Sequence, residues 1–426
     1  MCRVLGLVAN EDVLSHVMYG LFMQIYAGEN STGIASLSDN GDGKIVVKKS
    51  LGKAFDVFPQ YDPELKSNII IGHNGCAESE VQPLIVTKDG RELALVTDAS
   101  KETTVKIRQK IRGAANILDA VKNMLLTIQA PFVLIILSPE HGLIAARNSG
   151  IKPLTIGTIE LDGLKGFYLA SQSGVTLEGE FLQAVEPGNI LVVNQQSFQN
   201  IAVIERPDRR HCINEVLFKQ RPGNICGQRE VNEIRIGIGR RLGEIFSKGV
   251  RVEKAELYRA IPILEGGRSF ALGFSQTSGI LTDAAGSVRT IYPVPSHMKR
   301  IARQIGLSEN FALDPLPNVE GLKIVLIDDQ IRSGKKIAHM AEQCRKYGAK
   351  EVLAVVGSIG QATCPYGDAA YRNKRLVGKR RSKSQMAVKL GVSNLVSLEV
   401  EDLIEAIATS ERLYCTKCLS AFDPSS

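Results

Sequence analysis

Short runs of consecutive apolar residues alternate along this chain with stretches of helical period, and the rhythm changes near the middle. In the first half, residues 4–8 read as a buried strand and 12–26 as a helix. Residues 33–37 and 44–49 follow as strands, separated by Asn40-Gly41-Asp42-Gly43, a hairpin turn whose glycines suit positive φ. Further strand-like runs lie at 69–71, 93–96, 132–137, 142–147, 154–159, 166–171 and 189–193, and 114–127 has helical period. Hairpins, then helices, then hairpins predict packed antiparallel sheets with helical layers outside.

Residues 205–210 form a charged junction, which places the domain boundary between 1–205 and 206–426. Beyond it the pattern becomes strand, helix, strand. Residues 232–248 make an amphipathic helix, 258–264 an apolar strand followed by Glu265-Gly266-Gly267, and 270–277 a helix. A strand at 324–327, a helix at 337–347, a strand at 351–356 and the pieces 382–390, 395–398 and 401–408 complete the alternation. Such alternation predicts a parallel α/β sheet with ligand at the carboxyl ends of its strands.

Composition narrows the classes. The 426 residues suit two domains of roughly 200 residues each. The net charge of +7 is mild for this length and suits anionic small molecules, while few aromatics and no Trp argue against nucleic acid. The densest basic run, Arg372 to Lys383, reads as a solvated loop. No apolar run approaches a membrane span and no signal-like core follows Met1-Cys2-Arg3, so a cytoplasmic protein is expected. There the eight cysteines are expected to be thiols, metal ligands or nucleophiles.

The strongest chemical signal is Ile324-Val325-Leu326-Ile327-Asp328-Asp329-Gln330-Ile331-Arg332-Ser333-Gly334-Lys335-Lys336. It reads as a buried strand, an acidic edge, a loop and a helix start. Adjacent carboxylates there need partners such as sugar hydroxyls, a Lys or Arg, or hydrated Mg²⁺, and the loop aims backbone N–H groups at an anion. The layout resembles the type I phosphoribosyltransferases. That resemblance implies that Asp328 and Asp329 hold the ribose hydroxyls of phosphoribosyl pyrophosphate (PRPP), and that Ser333, Gly334, Lys335 and Lys336 hold its 5′-phosphate. Lys335 and Lys336 stand where the family has threonines, which exchanges hydroxyl donors for cations.

Cys2 is the chemical point of the first half. With the initiator Met removed, it carries a thiol and an α-amino group of near-neutral pKa, so one residue supplies nucleophile and base. Around it stand Gly28-Glu29-Asn30-Ser31-Thr32-Gly33, Gly72-His73, Gln82-Pro83, Arg147-Asn148 with Lys152-Pro153-Leu154, Ala170-Ser171-Gln172-Ser173 and Glu186-Pro187-Gly188. In that order they resemble the glutaminase domain of the glutamine PRPP amidotransferase (amidophosphoribosyltransferase) family, an N-terminal-nucleophile hydrolase. The implied fold is an αββα sandwich followed by a type I phosphoribosyltransferase domain. The family's grips on glutamine are changed, however. Asn74-Gly75-Cys76-Ala77 replaces the run whose Arg binds the glutamine carboxylate, Ala27 replaces another Arg, and Thr97-Asp98-Ala99-Ser100 stands where an Asn-Gly pair forms the oxyanion hole. An Asp there opposes an oxyanion by a few kcal/mol. Two readings follow, a glutaminase of altered specificity or a domain kept for packing. His73 is expected to shape a strand end.

In the second domain, the same resemblance places Gly266 and Gly267 at the diphosphate and Arg289 in a flexible loop over PRPP. It departs at Leu264-Glu265 and at Asp283-Ala284-Ala285-Gly286. Cys415-Thr416-Lys417-Cys418 alone suits a redox pair or half a metal site. A subset of the family ligates a [4Fe–4S] cluster at places matching Cys212, Cys364, Cys415 and Cys418, with zinc the second choice and no metal the third. The cluster's expected role is structural, and Cys76, Cys226 and Cys344 are expected to be plain thiols. The implied activity is transfer of ammonia, from glutamine or free, to PRPP in purine biosynthesis, releasing pyrophosphate with the help of Mg²⁺. The rival is a non-catalytic regulatory or scaffold paralogue that binds PRPP or a nucleotide. A homo-oligomer is expected.

Overall fold

The computed structural model describes residues 2–24, 30–38, 43–76, 80–88, 90–176, 178–203, 209–250, 254–283, 288–290, 311–313, 319–366, 376–379, 381–407 and 414–419. The chain forms two compact units. One comprises Met1–Cys212, Gly223–Gln228 and Pro365–Arg372; the other comprises Ile213–Pro222, Arg229–Cys364 and Asn373–Ser426.

The first unit holds two antiparallel sheets. The seven-stranded sheet runs β11 (Gly179–Ala184), β9 (Thr155–Leu161), β10 (Leu164–Ala170), β1 (Arg3–Ala9), β4 (Ile69–Gly75), β2 (Ser31–Leu37) and β3 (Ile45–Leu51). The six-stranded sheet runs β13 (Phe198–Val203), β12 (Asn189–Val193), β8 (Gly142–Arg147), β7 (Val133–Ser138), β6 (Arg91–Asp98) and β5 (Leu84–Lys88). Strand alternation sorts side chains into layers. Val4 and Val8 of β1 meet Val133, Ile135 and Leu137 of β7 between the sheets. Leu5, Leu7 and Ala9 face the other way, onto Leu14, Val17 and Leu21 of α1 (Leu14–Met23). Leu134 and Ile136 likewise cover Ile107 and Ile111 of α3 (Lys101–Gly113) and Val121 and Leu125 of α4 (Ile117–Thr127); α2 (Ala54–Val57) is a single turn. The layers are therefore αββα. Central strands buried on both faces explain why β1 and β7 read as unbroken apolar runs.

Helix α3, strand β5 and the edge strands β11 and β13 escape a reading by hydrophobic pattern. Helix α3 carries only Ile107 and Ile111 as large buried apolar residues, and β11 is largely exposed. The turn at 40–42 lies outside the described residues.

The second unit is built on a parallel sheet of β14 (Tyr258–Pro262), β15 (Lys323–Ile331), β16 (Glu351–Ile359) and β17 (Leu395–Ser397), adjacent in that order. Register pairs Ala260 with Val325, Val325 with Leu353, and Ala354 with Leu395. One core packs Ile324, Leu326, Ala354 and Val356 against Ile337, Met340 and Ala341 of α7 (Lys335–Lys346) and Met386 and Leu390 of α8 (Lys383–Leu390). Helices α5 (Val231–Gly249) and α6 (Gly267–Ser278) cross closely, because a Cβ on Gly273 would stand 2.0 Å from the Ile236 carbonyl and one on Gly239 2.2 Å from that of Phe270. Gly239, which carries no weight as a nucleotide fingerprint, thus has a packing role. Helix α9 (Val400–Ile407) is tied to α5 by Arg241 and Asp402 at 2.7 Å. No helix among the described residues is long and apolar enough to cross a membrane.

Candidate functional site

Cys2 enters β1 next to the end of β4, where Arg3 pairs with Asn74. Its side chain is buried. Its sulfur lies 3.7 Å from that of Cys76, and its backbone N–H donates to Asp98 Oδ1 at 3.4 Å. The hydrogen bond to Cys76 holds the Cys2 thiol below its ordinary range, against burial and the charge of Asp98, which both push it up. Cys76, expected from the sequence to be a plain thiol, is instead a hydrogen-bond partner of the Cys2 sulfur.

Asp98 is not alone. Lys152 Nζ donates to its Oδ1 at 2.8 Å, and both side chains are buried. Burial pushes the Asp98 carboxyl up, but the positive charges around it, Lys152 first and Arg3 among them, together hold the group below the usual carboxylate range. The motif residues build this pair's frame. Arg147 Nη1 donates to the Lys152 carbonyl at 3.2 Å, and the Arg147 carbonyl accepts from the Gly188 N–H at 2.8 Å. Burial lowers Arg147 to about 10. Asn148 donates to the Ile128 and Ala130 carbonyls and accepts from Phe132 N–H. Gln82 exchanges two hydrogen bonds with the Thr97 backbone, next to Asp98, and Gly33 leaves room for the Gln82 carbonyl. Ser171 Oγ accepts from Val4 N–H.

His73 is fully buried and burial lowers it to about 4, so it is neutral near pH 7 and a weak proton acceptor. Asn74 donates to the Leu21 carbonyl and accepts from Thr32, which makes it a strand-to-helix tie. Residues 25–29, with Ala27, Gly28 and Glu29, lie outside the described residues.

In the second unit Asp328 and Asp329 sit near the carboxyl end of β15, Asp328 buried and Asp329 half-buried. Burial pushes Asp328 well above the usual carboxylate range, and the charge of Asp329 adds to it. Burial also raises Asp329, while Lys336 and Arg235 pull it back. The two carboxylates are short of compensating positive charge. Hydroxyl donors or a hydrated Mg²⁺ would relieve that shortage.

The structure brings the predicted pieces together here. A Cβ on Gly266 would stand 1.7 Å from Asp329 Oδ2, and one on Gly267 2.2 Å from the Ile327 carbonyl, so only glycines fit. Gly266 and Gly267 open α6, preceded by a cis Leu264–Glu265 peptide bond. Ser333, Lys335 and Lys336 are exposed at the start of α7, where Gly334 adopts φ of 76°. The loop is pinned by Gly360 N–H to the Ile331 carbonyl and Val377 N–H to the Arg332 carbonyl. Arg289 lies in a short strand, Val288–Thr290, paired with Phe311–Leu313; its side chain, residues 284–287 and residues 372–375 and 380 of the basic run lie outside the described residues.

Arg235 is a residue the motif reading missed. It is buried, donates to the Val216 and Gln220 carbonyls at 2.8 Å, and is lowered to about 10 by burial. Its signal was an Arg within the apolar stripe Val231, Ile234, Ile238, Leu242 of α5.

Of the cysteine quartet, Cys212 ends the main segment of the first unit and Cys364, Cys415 and Cys418 belong to the second. The Cys418 carbonyl accepts from the N–H groups of Gln361 and Ala362, and its sulfur from Asn214 Nδ2 at 3.0 Å. The tail is thus held beside the turn that carries Cys364. Among the described residues, no three Cys, His, Asp or Glu side chains are gathered closely enough to hold a metal. Cys344 is interior, and burial raises it to about 11.

No family model matches the chain. It is 26% identical over 478 residues to the amidophosphoribosyltransferase of Methanocaldococcus jannaschii, covering 100% of this chain and 98% of that one. It is 24% identical over 464 residues to that of Methanothermobacter thermautotrophicus, covering 99% and 94%. Among solved structures, the B. subtilis glutamine PRPP amidotransferase complexed with ADP and GMP superposes with a TM-score of 0.84 at 21% identity, over 98% of this chain and 96% of that one.

Proposed function

From the premise that the chain is a divergent member of the amidophosphoribosyltransferase family, we propose that it transfers ammonia to PRPP, giving phosphoribosylamine and pyrophosphate. The observation that carries this reading is the nesting of Gly266 against the Asp329 carboxylate beside the α7 loop. Asp328 and Asp329 accept hydrogen bonds from the ribose hydroxyls. The exposed start of α7, with Ser333, Lys335 and Lys336, holds the 5′-phosphate, and Gly266 and Gly267 leave room for the diphosphate. Ammonia forms a bond to the anomeric carbon as that carbon's bond to the pyrophosphate oxygen breaks, and the nitrogen then loses one proton. When bound, Mg²⁺ neutralises the leaving pyrophosphate.

Free ammonia is the better donor in this proposal. The nitrogen that becomes the α-amine of Cys2 faces Asp98 at 3.4 Å, and a carboxylate there favours the protonated amine over the free base. Glutamine attack through Cys2 is correspondingly slow.

A [4Fe–4S] cluster on Cys212, Cys364, Cys415 and Cys418 belongs to the same proposal. Its support is the thiolate donor set and the hydrogen bonds that hold Cys418 beside the 361–362 turn. No step of the reaction is routed through it. Brown protein that loses its visible absorption on Cys415→Ser supports iron–sulfur; colourless protein with stoichiometric zinc assigns zinc.

The test of function is PRPP-dependent pyrophosphate release with ammonium, with glutamine and with neither. Release driven by ammonium, with glutamine far weaker and abolished by Cys2→Ala, is expected. No release in any condition, despite measurable PRPP binding, overturns the enzyme reading.

A further inference from the structure

We propose that Cys2 and Cys76 are a resolving thiol pair, an oxidation site at which a low-molecular-weight disulfide of the glutathione class converts the two thiols to a reversible Cys2–Cys76 disulfide. The two sulfurs are 3.7 Å apart, on the residue just before β1 and the residue just after β4, two neighbouring antiparallel strands. Reaching a bond length of about 2.05 Å requires an approach of roughly 1.6 Å, the scale of a χ1 adjustment rather than of strand movement.

Accessibility sets the order of events. Cys2 is 1% exposed, whereas Cys76 is half-buried and is the sulfur that a solute meets first. The thiolate of Cys76 attacks RS–SR; a bond forms between Cys76 and one sulfur, and the other leaves as RS⁻ and takes up the proton Cys76 released. Cys2 then attacks the Cys76 sulfur. The Cys2–Cys76 bond forms, the second RS⁻ leaves, and the proton from Cys2 completes the second RSH. Two protein thiols are oxidised and one small disulfide is reduced to two thiols. The burial of Cys2 excludes a bulky adduct on Cys2 itself, so exchange begins at Cys76.

The disulfide closes the sulfur nucleophile and leaves the neighbouring ion pair in place. Asp98 stays with Lys152, and neutral His73 takes no proton near pH 7.

The full chain is equilibrated across a range of oxidised-to-reduced glutathione ratios, quenched by alkylation, and analysed by intact mass and peptide mapping. The wild type is expected to lose two hydrogens and to yield a crosslinked peptide pair containing Cys2 and Cys76, with no glutathione adduct on either. Cys2→Ser is expected to trap a glutathione adduct on Cys76, and Cys76→Ser to leave Cys2 without one. Each variant is first checked for a native unfolding transition, and Cys76→Ala replaces Cys76→Ser where that check fails. Both thiols alkylated separately at every ratio, or equal Cys76 adducts in wild type and Cys2→Ser, overturn the proposal. The assay contains neither PRPP nor an amine donor, so its outcome is independent of the proposed reaction.

Discussion

Asp98 would be a liability beside a nucleophile if it stood alone, and Lys152 at 2.8 Å answers it inside the protein. Removing one member of a buried ion pair leaves the other uncompensated, so Lys152→Met is expected to cost about 3–5 kcal/mol, with the Asp98→Asn, Lys152→Met double variant recovering most of it. Urea unfolding measures both, and an equal loss in the two would show that the pair contributes packing alone. Because Asp98 is held below its unfolded value, its contribution is present above about pH 4 and fades as pH falls through the lowered folded value, so the double variant flattens the acid limb of stability. Asp328 has the opposite sign. Its folded value is raised, so its stabilising contribution exists below the unfolded value and is lost as pH rises through the folded one. Asp328→Asn is therefore expected to stabilise the protein near pH 7 by about 1–2 kcal/mol while removing PRPP binding, measured by denaturant titration and calorimetry. A destabilised variant would mean that the carboxylate is satisfied without ligand. Asp328 was legible because its neighbours in sequence are its neighbours in space. The Asp98–Lys152 pair was not, since 54 positions separate its members and only strand pairing brings them together.

At the scale of elements, glycine shows how packing overrides a local pattern. Gly273 faces the Ile236 carbonyl across the α5/α6 crossing, whereas a Cβ at Gly249, the last residue of α5, meets nothing. Gly273→Ala is expected to destabilise by about 1–3 kcal/mol through overpacking, while Gly249→Ala gains up to about 1 kcal/mol from helix propensity. The urea midpoint of each variant checks this, and a neutral Gly273→Ala would mean that the helices can separate without cost. The central strands β1, β7, β15 and β16 were readable because burial on both faces leaves an unbroken apolar run. Edge strands β11 and β13 were not, because a strand with one exposed side keeps little of that pattern.

For the molecule as a whole, each unit has its own hydrophobic core. Urea unfolding is therefore expected to show separable steps, with Lys152→Met moving one and Asp328→Asn the other; a single transition shifted alike by both would contradict this. The amino-acid order alone marked the central buried strands, and through their alternation it marked packed antiparallel sheets with helical layers and then a parallel α/β sheet, because hydrophobic period records burial wherever an element is covered on both faces. It also placed the acidic edge, loop and helix start around Asp328 and Asp329, since that unit is continuous in the chain. Tertiary structure decided the rest. It set Gly266 against Asp329, ran the Arg235 side chain to the Val216 and Gln220 carbonyls, paired Asp98 with Lys152 and brought Cys76 to Cys2. Each of these is a distance between separate segments, and no local pattern carries that information before sheet register and helix crossings close the chain upon itself.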